Sequence, residues 1–210
     1  MPEYSHIQTY VKCDESNYKE VIHKFATFLS VIGINNDYFR SELQWELADN
    51  GFMYTGGGAS AEKVNLNGSL LHVRPYVVGL TPDVIPELLE SWLELNILFW
   101  TEEITSDYIT RELKMQYKPY IWSLMEQFKD NYQQAGIYFT SEFSDGIPWS
   151  AIVSQKYEEL WSFDAAIIPK SWVDLYIKPN DHVFYSTYFE DELYLARKDV
   201  WIERPWRDYG

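Results

Sequence analysis

Tyr18, Val21, Ile22, Phe25, Phe28, Leu29 and Ile32 recur at spacings of three and four, the period of a helix with one apolar face. Asn17 followed by Glu20 matches a capping box, and Gly33 stands where a left-handed residue would end the helix. His23, Lys24 and Thr27 fall on its solvated side. Ahead of it, Ile7 to Val11 reads as a short strand. From Leu43 the period shortens to two: Leu43, Trp45 and Leu47 alternate with polar residues up to Asp49-Asn50-Gly51, and Phe52 to Thr55 follows as the return arm of a hairpin. A second hairpin is predicted for Val64 to Leu66 and Leu70 to Val78 about Asn67-Gly68.

Thr81-Pro82 has the form of a helix start, with Val84, Leu88 and Trp92 beside Ile85, Leu89 and Leu93 along one face. Ile109, Leu113 and Tyr117 continue a helical period up to Lys118-Pro119, where the proline kinks or restarts the helix, and Ile121, Leu124, Met125, Phe128 and Tyr132 carry it on. The last third returns to strands: Ile137 to Phe143, Trp161 to Ile168, Val173 to Ile177, His182 to Phe189, Leu193 to Ala196 and Val200 to Glu203, with a short helix over 151–160. Strands and helices segregated along the chain predict an α+β fold, with antiparallel sheet and a helical middle segment packed on one face. One domain over 1–210 is the expectation, with 1–80 and 81–210 as the alternative division.

The 210 residues carry 17 Lys and Arg against 32 Asp and Glu, a formal net charge of −15. Such a surface repels phosphate backbones and anionic lipid. The densest basic points, Lys114 with Lys118, Arg197 with Lys198 and Arg204 with Arg207, are pairs flanked by carboxylates. Neither nucleic acid nor membrane is therefore expected as a partner. The apolar window Val84 to Trp100 is interrupted by Pro86, Glu87, Glu90 and Glu94, too polar for a membrane span. With no N-terminal pattern of a signal peptide and Cys13 as the only cysteine, a cytoplasmic, reducing setting is expected.

The chain carries few patterns of recognised chemistry. Gly56-Gly57-Gly58 lacks the Lys and Ser or Thr of a phosphate cradle and reads as a flexible connector. His6, His23, His72 and His182 have no metal-ligand spacing, so neither metal nor cofactor is expected. Cys13 has no sign of an activated thiolate, and no serine sits in a nucleophile-elbow pattern. Nine Trp and 17 Tyr among so many acids leave a sugar-active enzyme with paired carboxylates as an alternative.

The informative feature is where the acid sits. Trp100, Glu102, Glu103 and Asp107 form one cluster of acid and aromatic residues, and Tyr188, Glu190, Asp191, Glu192 and Tyr194 form another. Aromatics supply hot-spot area at protein interfaces, and carboxylates steer and pair with a basic partner. In size, charge and these clusters the chain resembles, at the level of class, the immunity proteins of bacterial polymorphic and contact-dependent toxin systems. The resemblance implies a non-enzymatic module that binds a basic cognate toxin or nuclease and blocks its surface. A DNA mimic, with carboxylates spaced like phosphates, is the other inhibitor reading.

Overall fold

The computed structural model describes residues 3–34, 36–41, 43–55, 59–66 and 68–206. Gly56-Gly57-Gly58 and Asn67 lie outside them. The fold is mixed α+β, as the segregation of helical and strand patterns predicts. It comprises two compact units, Gln8–Phe99 and Met1–Ile7 with Trp100–Gly210.

In the first unit, the strands β1 (Tyr4–Lys12, from Gln8 onward), β2 (Met53–Thr55), β3 (Glu62–Leu66), β4 (Ser69–Leu80) and β5 (Trp92–Trp100, as far as Phe99) accompany the helix α1 (Tyr18–Val31). The strand order is β2-β4-β5-β1, with β3 also pairing β4. Tyr18, Ile22, Phe25, Phe28 and Leu29 form the buried stripe of α1, as their spacing predicts. Phe25 meets Phe39 edge-on at 5.4 Å and Tyr18 meets Trp45 at 5.6 Å. Gly33, at φ +83°, ends the helix: its own N–H bonds Ser30 O, and that of Ile34 bonds Leu29 O, the paired bonds of a left-handed helix stop. The capping box does not form. Asn17 instead accepts from Asp14 N (2.9 Å) and donates to Lys12 O (3.3 Å), so it ties the preceding turn together.

The hairpin at Gly68 forms as expected, with Leu66 opposite Ser69. The first one does not. A turn closes at Asp49-Asn50-Gly51, but residues 43–48 take no strand conformation, and Met53 to Thr55 pair with Gly79 to Val77 of β4. Gly79 belongs in this strand because a Cβ there would stand 2.7 Å from the Met53 side chain.

The expected helix at Thr81 is a single turn, in which Val84 N and Ile85 N both bond Thr81 O. Leu88 is buried and Leu89 fully exposed, so the predicted apolar face never assembles. The following run, Trp92 to Trp100, is β5, flanked by β4 and β1 and buried along Leu93–Phe99. A strand covered on both faces is apolar throughout and cannot be told from a buried helix by period.

In the second unit, α2 (Thr101–Ile104) is one turn, α3 (Lys118–Asn131) begins with Pro119 in its first turn, and β6 (Ile137–Ser141), α4 (Ile147–Val153), β7 (Ala165–Ile168), β8 (Phe184–Phe189), β9 (Glu192–Arg197) and α5 (Lys198–Trp201) follow. The strand order is β1-β6-β7-β9-β8, antiparallel from β6 onward. Helix α3 packs on β6 and β7, the helical layer expected of the middle segment. Ile109 is exposed in a turn rather than part of that helix. Val173–Leu175 is a 3₁₀ turn and Lys198–Trp201 a helical turn, where strands are expected over Val173 to Ile177 and from Val200.

Adjacent residues of β6 feed two aromatic clusters, because neighbouring side chains of a strand point to opposite faces. Phe139 meets Trp201 at 6.0 Å, which with Trp206 and Tyr194 surrounds Trp122 of α3. Tyr138 meets Phe163, and its hydroxyl lies 3.1 Å from that of Tyr176, beside Trp161 and Phe184. Much of the chain's aromatic content is thus core.

Candidate functional site

Trp100 ends β5 half-buried and precedes α2, on which Glu102 is exposed and Glu103 half-buried. The Lys114 ammonium bonds the carbonyls of both glutamates, at 3.1 and 2.7 Å, and so closes the C-terminal end of α2 through their backbone rather than their carboxylates. Thr105 and Leu113 bridge, and Ser106 N bonds Glu112 O, so the intervening residues form a closed loop. Asp107 builds its turn by accepting from Thr110 N (2.7 Å) and Thr110 Oγ1 (3.0 Å). These bonds hold the Asp107 carboxyl below the usual aspartate range. At the tip, Tyr108 is 67% and Ile109 90% exposed.

Residues far away in sequence complete this surface. The Tyr108 hydroxyl donates to Glu3 Oε2, and Glu3 O accepts from Thr101 N at 2.9 Å. Tyr4 N donates to Glu142 Oε2 (3.3 Å), while Glu142 N bonds Tyr4 O (3.0 Å). Beside Glu142, Phe143 is 82% exposed, and Asp145 lies 3.4 Å from His6 Nδ1. Four segments, around Glu3, Glu102, Asp107 and Glu142, are thereby stitched into one face of the second unit. It carries six carboxylates, on Glu3, Glu102, Glu103, Asp107, Glu142 and Asp145, and three large apolar groups, Tyr108, Ile109 and Phe143.

Of the two basic side chains in this loop region, Lys114 is committed to the α2 carbonyls and Arg111 to the interior. Arg111, at φ +62°, sends its guanidinium to buried Asp164 (Nη2 to Oδ2, 2.7 Å). Asp164 also receives Arg197 Nη1 at 3.2 Å, and Arg197 grips Asp199 through Nε and Nη2. Burial pushes the Asp164 carboxyl up, and the two guanidinium groups pull it back without cancelling the effect.

No family model, curated protein or solved structure matches the chain. The reading of this surface therefore rests on its own geometry.

The second predicted cluster is placed differently. Glu190 and Asp191, both at positive φ, form the two-residue turn between β8 and β9, with Phe189 opposite Glu192. Asp191 pairs with Lys170 at 2.5 Å, and Glu192 lies 3.4 Å from Lys129. Tyr194 is buried against Trp122, Phe189 and Trp206, and burial pushes its phenol up to about 12. Tyr188 and Glu190 remain as exposed members without a partner among the described residues. The turn stands at one end of β9, and Val200, which bonds Leu113 N, lies past the other. At ~3.3 Å per residue that strand separates them by roughly 17 Å, so the two clusters do not merge.

Glu3, Glu142, Phe143 and Asp145 escaped selection because no local pattern marks them. They reach the site through a strand edge and a loop. Among the described residues, no three His, Cys, Asp or Glu side chains are placed to hold a metal ion, and no helix is long and apolar enough to cross a membrane.

Proposed function

We propose that the chain is an acidic protein-binding module that neutralises a basic protein in the cytoplasm, in the manner of an immunity protein acting on a cognate toxin. The observation that carries this reading is the exposure of Tyr108, Ile109 and Phe143 on loops rimmed by six carboxylates. Apolar side chains so exposed do nothing for the core, and grouped with one sign of charge they suit a partner surface of the opposite sign. The negative field accelerates encounter by up to ~10³-fold, and burial of the three apolar groups then slows dissociation. The bonds from Tyr108 to Glu3 and from Asp107 to Thr110 hold the loop in shape before binding, which lowers the entropy lost on association.

Two pockets, of about 370 and 380 Å³, are lined without an Asp or Glu and so do not offer the paired carboxylates of the sugar-active alternative. The test is affinity capture from a lysate of the source organism, at low and high salt, with the native chain and with Glu102→Lys, Ile109→Ala, Phe143→Ala combined. One basic protein held by the native chain at low salt, and lost from the variant, is the expected result. Equal capture by both chains, or none by either, would overturn the reading.

A further inference from the structure

We propose that a pocket in the second unit, lined by Trp161, Lys178, Asn180, Val183, Phe184 and Arg197, binds a small molecule in which an anionic group is carried on a planar ring. The pocket shares no residue with the acidic face and the proposal does not depend on it.

Its volume, about 380 Å³, lies within the range of small-ligand clefts. Its polar side chains are donors. Lys178 is exposed, at φ +57°, and its ammonium has no partner among the described residues. Asn180 spends its acceptor on His182 N (3.0 Å), which leaves the Nδ2 donor uncommitted. Arg197 is held by Asp164 through Nη1 and by Asp199 through Nε and Nη2, so one N–H on each Nη remains. Trp161 contributes an indole N–H. No carboxylate lines the pocket, in a chain with 32 of them. Two cationic side chains and no anionic one in the lining favour an anion.

The walls supply the second half of the specificity. Trp161 is half-buried, packed on Phe184 at 5.4 Å and edge-on to Tyr176 at 5.4 Å, so its ring is fixed by neighbours rather than free to turn. Trp161, Val183 and Phe184 make up the apolar part of the lining, and an aromatic ring packed on aromatic side chains adds to the area it buries. A carboxylate and a phosphate ester share this chemistry, and separate probes distinguish them.

The experiment is a nuclear magnetic resonance titration of the ¹⁵N-labelled full chain with phenyl phosphate, benzoate, inorganic phosphate and benzyl alcohol in turn. The Trp161 indole signal is assigned by its loss in Trp161→Phe. The Trp161 indole and the Asn180 side-chain amide should shift saturably with phenyl phosphate or benzoate, the tighter of the two naming the anion. Inorganic phosphate and benzyl alcohol, each with half of the chemistry, should bind at least about tenfold more weakly. Lys178→Gln, a substitution at an exposed position, should weaken the tighter probe by about tenfold and leave the rest of the spectrum unchanged. Absence of a saturable shift with both ring-bearing probes at about 10 mM, a threshold below which even weak binding counts, would overturn the proposal. So would equal affinity for the native chain and Lys178→Gln.

Discussion

The Tyr108 hydroxyl donates a 2.6 Å hydrogen bond to Glu3 Oε2 across 105 residues of sequence. It links a loop tip to the start of a strand, and it lets Tyr108 hold position while its ring stays in solvent. The bond and the charge of the carboxylate in turn raise the phenol above the ordinary tyrosine value. Tyr108→Phe is expected to leave the midpoint of denaturant unfolding unchanged and yet to lower the ¹⁵N order parameters of residues 107–111. Unchanged order parameters would show that the Asp107 turn alone shapes the loop.

Asp164→Ala removes the carboxylate paired with the Arg111 guanidinium. Breaking a buried ion pair costs about 3 to 5 kcal/mol, because a charge is left without its partner, and urea unfolding at neutral pH should show a loss of that size. The double variant Arg111→Met, Asp164→Ala strands no guanidinium at that site and should recover part of it, since Arg197 retains Asp199.

The Asp107 carboxyl titrates below the ordinary aspartate value because Thr110 donates to its charged form. A lowered folded pKa means that its contribution to the loop is complete above the unfolded value of about 3.9 and is lost as pH falls through the folded one. The Thr110 amide shift followed against pH should therefore move with a midpoint below about 3.9. Asp107→Asn should abolish the movement.

Phe25→Ala empties a fully buried site between Phe28 and Phe39. Denaturant unfolding should show a destabilisation of about 3 to 5 kcal/mol, the usual size for a large aromatic cut back in a core. A loss below about 1 kcal/mol, as at surface positions, would mean that the helix does not pack as described.

Cys13 is 2% exposed, and burial pushes its thiol up to about 12. It should resist a thiol-specific disulfide reagent at pH 8 in the folded chain and react at once in denaturant. Rapid reaction in the folded state would place the C-terminal end of β1 in frequent local opening.

What the sequence determined by itself was whatever short-range chemistry decides. The stripe of α1 and its stop at Gly33 were legible because a helix reports its buried face every three or four residues. Tight turns at Gly68 and Glu190-Asp191 were legible too, as was Pro119 at the head of α3, although the helix expected ahead of it over Ile109 to Tyr117 does not form. The acid beside aromatics at Glu102 and Asp107 was legible as composition.

Tertiary structure decided the rest. Trp92 and Leu93 were drawn into a helical period because β5, buried along nearly its whole length, is apolar without alternation, and the apolar residues after Thr81 matched a helix that Pro86 and the course of the chain do not allow to continue. Tyr194, read as a contact residue, became core once Trp122 packed on it. Glu3 and Glu142 joined the site only because the Glu142 loop bonds the backbone of Tyr4 138 residues away. Strand pairing is long-range, and no local pattern records which loops it brings together.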